Sequence, residues 1–190
     1  MDKIFNKMIK DELLPIYKQY FNEWGESKSL LTNPKNTKLY LNENFYISVF
    51  KPNKNRNSWI YATCGLSLKN NDRKIEIFIY SPDTNDTIVD VLYSLADYHI
   101  IEKPLGENHT VNFGISLAKY SICNFGLLSF PYLQSKDFSY NESLNTEFLW
   151  LIPITEAERN YKIDYGIEML EEIFEEKQLN YLDFTRKSLI

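Results

Sequence analysis

Apolar residues recur at helical spacing in Ile4, Phe5, Met8 and Ile9 and again in Ile16, Tyr17, Tyr20, Phe21 and Trp24, which predicts two helical pieces. Pro15 lies between them. It lacks the N–H a continuous helix needs but suits the first turn of a new one, so the break falls near Leu14, and Gly25 ends the second piece. Ser27 to Lys38 is rich in Ser, Asn, Pro and Lys without apolar periodicity and reads as a linker. Three runs rich in aromatic and β-branched residues follow, Phe45 to Phe50, Trp59 to Leu66 and Lys74 to Tyr80. With Asn70-Asn71-Asp72 as a turn between the last two, they predict an antiparallel meander.

Ser81 to Asn85 supplies turn and cap chemistry, after which Ile88, Val91, Leu92, Leu95 and Ala96 share one helical face as far as about Tyr98. Pro104, Gly106 and Asn108 mark a loop. The apolar runs Leu127 to Leu133 and Phe148 to Ile154 predict two more strands, the second continuous enough to lie buried on both faces at a sheet centre. Thr155-Glu156-Ala157-Glu158 is a capping box that starts a helix; Met169, Leu170, Ile173 and Phe174 carry an apolar face onward, with Gly166 as a dividing point. Strands followed by helices, with few alternating βα units, predict an α+β fold: a mixed or antiparallel central sheet packed by helices, in one domain spanning 1–190.

Composition narrows the class. The 44% hydrophobic content of a 190-residue chain is enough for a sizeable core without metal or disulfides. A net charge of −5, with no Lys/Arg run, speaks against a nucleic-acid partner. No apolar run approaches the ~18 residues of a membrane span, and Met1 to Lys7 lacks a signal-like stretch, so the expected location is cytoplasmic with no membrane partner. Cys64 and Cys123 are read as thiols.

Candidate chemistry is sparse. Cys64, His99, His109 and Cys123 match no compact zinc spacing, and Asp83, Asp86 and Asp90 lack the glycine and terminal glutamate of a calcium loop, so no metal and no cofactor are expected. Cys64 sits inside a predicted strand, where an inert buried thiol outweighs a nucleophile. The loop from His109 through Thr110 and Asn112 to Gly114 has the residue types of a small-molecule site, and an enzyme or ligand-binding protein using His109, Asn112 and Cys64 is the rival reading. No phosphate loop, dinucleotide fingerprint, HExxH or GxSxG occurs, and no catalytic residue is assigned. Charge is uneven: Glu168, Glu171, Glu172, Glu175 and Glu176 crowd one helical segment with no basic residue among them. Such like-charge crowding is unfavourable and would be relieved by a basic partner.

Six segments in order resemble the bacterial branch of the suppressor-of-fused domain family. They are Trp59 to Ser67, Ile75 to Ile79, Leu95 to His99, His109 to Gly114, Leu128 to Leu133 and Phe148 to Glu156, and Leu182 to Ser188 resembles the closing segment. The resemblance covers 39–190 and leaves 1–25 as an N-terminal helical segment. It implies an α/β sandwich without enzymatic activity. It also implies a protein partner: a transcription factor in animal members and, in many bacterial ones, a cognate toxin encoded alongside and neutralised by an immunity protein. In the animal protein a tyrosine ending the central helix and an acidic residue before the loop histidine grip an extended peptide. The matching positions are Tyr98 and Asn108, next to His109, and Asn108 carries no charge. Two partner surfaces are therefore expected, the Glu168, Glu171, Glu172 and Glu175 face and the Tyr98 to His109 edge. A general protein–protein adaptor is a further alternative.

Overall fold

The computed structural model describes residues 10–31, 44–69 and 72–190. The helical pattern of Ile4 to Ile9 and the Asn70-Asn71 turn lie outside these residues. A 3-10 turn, Asp11–Leu13, leads into helix α1 (Leu14–Trp24) with Pro15 in its first turn. Gly25 at φ 83°, a conformation that a β-carbon disfavours, closes α1 by donating its backbone N–H to the Phe21 carbonyl.

Among the described residues eight strands form one mixed sheet: β1 (Ser29–Leu31), β2 (Tyr46–Phe50), β3 (Trp59–Cys64), β4 (Ile75–Ser81), β5 (Thr110–Asn112), β6 (Phe125–Ser129), β7 (Tyr140–Asn141) and β8 (Thr146–Ile154). The order is β1-β2-β3-β4-β8-β6-β5, with β7 paired to the start of β8. The meander β2-β3-β4 is antiparallel as expected, and β4 pairs with β8 in parallel. Such a pair needs a crossover. The crossover carries helix α2 (Asp86–Asp97), capped by the Asn85 side chain accepting from the Thr87 amide, and continues as a π-helical turn, Tyr98–Glu102.

Period-two alternation along the strands separates two cores. Leu149 and Leu151 of β8 face the α2 layer with Ile77, Ile79, Ile88 and Leu92, whereas Phe148, Trp150 and Ile152 face α1. On the α1 side Trp24 stacks on Tyr20 at 5.1 Å and meets Phe50 and Phe78 edge-on or tilted at 5.2 and 5.0 Å. Thr155 and Glu158 form the expected capping box of α3 (Glu156–Tyr165). Gly166, at φ 97°, separates it from α4 (Ile167–Glu176), whose Leu170 and Phe174 join the α1-side core.

Four expectations are corrected. Part of the expected linker is strand: Ser29 to Leu31 pair antiparallel with β2, and three residues are too few to show periodicity. The strand expected over Leu127 to Leu133 runs instead from Phe125 to Ser129, because Pro131 cannot continue the ladder. The strand starting at Trp59 ends at Cys64, since Gly65 turns away at φ 107°. Met169 is exposed rather than part of the apolar face of α4.

Candidate functional site

Two grooves of similar size open on opposite faces of the sheet. The first, about 630 Å3, lies between the C-terminal half of α2 and strand β5. Leu95, Leu105 and Phe113 form apolar walls, and Tyr98, Asn108, His109, Lys103 and Lys162 supply the polar groups. The structure thus brings together the three residues expected at this edge.

Local geometry holds them in place. Asn108 adopts φ 65°, a left-handed conformation that asparagine tolerates, and its amide donates to the Leu128 carbonyl at 2.7 Å. Lys162 of α3 donates to the Asn108 carbonyl at 2.7 Å. Beneath the loop, buried His99 accepts from the Leu105 amide through Nδ1 at 2.9 Å, so Nε2 carries the proton and donates to the Arg73 carbonyl at 3.0 Å. Burial lowers the His99 pKa and keeps the ring neutral in that role. His109 is also pushed down, by partial burial first and then by the cations Arg73, Lys103 and Lys162. No acidic side chain among the described residues lines this groove, so its electrostatic character is positive.

The second groove, about 620 Å3, lies between α4 and the sheet. Leu127, Trp150, Ile152, Phe174, Leu179 and Tyr181 make it largely apolar, and Glu171 and Glu175 stand at its rim. Tyr132 donates from its hydroxyl to Glu171 at 3.1 Å. Glu171, one of the four glutamates of the expected acidic partner face, is therefore half-buried and engaged. Glu168 and Glu172 are exposed on α4 and line neither groove.

The rival constellation does not assemble. Cys64 is buried in the α1-side core, with burial driving its thiol well up, while His109 and Asn112 open on the α2 side. Among the described residues no group of three or more His, Cys, Asp or Glu side chains is placed to hold a metal ion. Lys103, Lys162, Tyr132, Leu133 and Tyr181 were not singled out by the sequence reading. Lys162 reaches Asn108 from 54 positions away, a proximity with no local signal.

Comparison with known proteins matches residues 42–187 to the family model of the suppressor of fused protein (SUFU), and the chain belongs to that family. No curated protein matches. The fold resembles a putative SUFU homolog from Neisseria gonorrhoeae FA 1090, with 25% identity over 94% of each chain and a TM-score of 0.76. It also resembles a chain of the Sufu-Fu complex, at 13% identity over 96% of this chain and 92% of the other, with a TM-score of 0.66. Drosophila Suppressor of Fused aligns over 76% of this chain and 42% of its own length, at 13% identity and a TM-score of 0.54.

Proposed function

We propose that this chain is a non-catalytic protein-binding domain whose positive groove captures an extended, anionic segment of a protein partner, and that the partner is a cognate toxin neutralised by binding. The observation that carries the reading is the gathering of Tyr98, Asn108 and His109 beside β5, the end strand of the sheet. A segment laid along an edge strand gains main-chain hydrogen bonds, and its alternate side chains enter the groove. Lys103 and Lys162 favour acidic side chains there, and Asn108 removes the repulsion that an acidic residue at this position would exert. A protein partner is further supported by the relative crystallised as a Sufu-Fu complex. The toxin as partner rests on the resemblance to bacterial immunity proteins, and a cytoplasmic site of action fits the absence of a membrane-spanning helix among the described residues.

The test is survival of cells that co-express the chain with a toxin encoded beside its gene. Tyr98→Ala combined with Lys162→Glu should abolish protection while protein level and melting temperature stay close to those of the parent. Full protection by that variant would reject the groove. Conversion of a small molecule by the purified chain, lost in His109→Ala, would reject the non-catalytic reading.

A further inference from the structure

We propose that the groove between α4 and the 130–133 turn is a second docking site, distinct from the Tyr98 to His109 groove, and that it takes a partner-protein segment bearing one large apolar side chain flanked by Lys or Arg. Three observations meet there. Its walls are apolar, and the turn beside them holds large hydrophobic side chains in water: Phe130 is 38%, Tyr132 59% and Leu133 53% exposed. Pro131 stops β6 at this point, so these residues have left the ladder without entering the core. Covering them would release apolar surface from water, the main driving force of association.

The rim is acidic and uncompensated. Glu171 and Glu175 stand at the edge, Glu107 and Glu168 lie near enough to push the Glu171 carboxyl further up after burial has raised it, and no Lys or Arg among the described residues lines the groove. Lys177, the basic residue following α4, is turned to the Leu189 carbonyl. Trp150, which lines the groove, has a buried indole N–H without a hydrogen-bond partner. A cation beside an apolar anchor satisfies rim and walls together. A second copy would bring another chain of net charge −5 against the same acidic edge, which disfavours self-docking.

The probe is a displayed library of random dodecapeptides selected on the immobilised full chain, followed by synthetic copies of the enriched sequences titrated by isothermal calorimetry. Enriched peptides should carry an aromatic or branched aliphatic residue within four positions of Lys or Arg. Their affinity should fall at least about tenfold for Glu171→Lys with Glu175→Lys and for Leu133→Ser, and fall again in high salt, while Tyr98→Ala with Lys162→Glu leaves it unchanged. Leu133 is exposed and its substitution spares the fold, which circular dichroism confirms in the same samples. Enrichment of acidic or neutral peptides, no enrichment, or equal binding by the charge-reversed variant would overturn the proposal. So would concentration-dependent dimerisation in sedimentation velocity that the same variants abolish, since the occupant would then be a second copy.

Discussion

Glu76 and Glu158 are fully buried carboxyl groups that their surroundings push in opposite directions. Glu76 accepts from the Thr63 hydroxyl at 2.6 Å, the Gly65 and Ser67 amides at 3.1 and 3.0 Å and the Ser67 hydroxyl at 2.7 Å. Burial raises its pKa despite these donors. A raised carboxyl contributes stability that is present below its unfolded value and lost as pH rises through the folded value. Glu76→Gln, which cannot ionise, should therefore gain stability relative to the parent as pH rises from about pH 4 to about pH 7 in urea denaturation. Glu76→Ala strands several donors at once and should be worse than Gln at both pH values, each stranded group costing about 1–3 kcal/mol. Glu158 differs because Arg186 meets it through two bonds of 2.5 and 2.8 Å. Burial pushes this carboxyl up, and Arg186 with the Thr155 and Leu189 amides more than reverses the push, so its stabilisation is present at neutral pH and lost as pH falls through the depressed value. Trp150 is a third case. Trp150→Ala should cost about 3–5 kcal/mol, and Trp150→Phe should keep most of that, because the indole N–H has no acceptor to lose.

Elements in this fold are tied by single side chains from far along the sequence. The closing segment after α4 is held by Arg186, which donates to Glu158 and to the Pro153 carbonyl, and by the Thr155 and Ser188 hydroxyls at 3.1 Å. Arg186→Ala leaves a buried carboxylate without its cation and should destabilise by about 3–5 kcal/mol, read from denaturant midpoints. The loop that leads from the π-helical turn to β5 depends on neutral His99, whose Nδ1 must stay an acceptor for the Leu105 amide. A histidine with a lowered pKa supports the fold above its unfolded value of about 6.5, and that support is lost as pH falls through the folded value. Hydrogen exchange at Leu105, corrected for intrinsic rates, should accelerate between about pH 7 and pH 5 in the parent. In His99→Gln it should be fast throughout. Long elements were legible because their periodicity repeats: α1, α2, β2, β4 and β8 lie where the apolar pattern puts them, and β3 starts there but stops two residues short of Leu66. Strands β1, β5 and β7 were not, since two or three residues contain no full repeat and form only because a neighbouring strand offers its edge.

At the scale of the molecule, one sheet separates two grooves of opposite charge, the positive one against α2 and the acidic one against α4. Because the sheet core lies between them, a variant in each groove should act independently. Stability changes for Tyr98→Ala and Leu133→Ser are expected to add within about 0.5 kcal/mol in urea denaturation, and a larger coupling would show that the sheet transmits strain between faces. Tyr98, Asn108 and His109 are legible through family resemblance and the glutamates through charge count, whereas the sharing of a groove between the first set and Lys162, and the bond of Tyr132 to Glu171, leave no mark in the sequence. By itself the sequence determined the α+β class, the meander, the capping box and the burial of the Phe148 to Ile154 run, since these follow from local spacing and backbone hydrogen-bonding demands. Tertiary structure alone decided the parallel union of β4 with β8, the meeting of Glu158 with Arg186 and the placing of both grooves. These depend on contacts between residues tens of positions apart, whose proximity is created by packing two faces of one sheet and leaves no periodic trace along the chain.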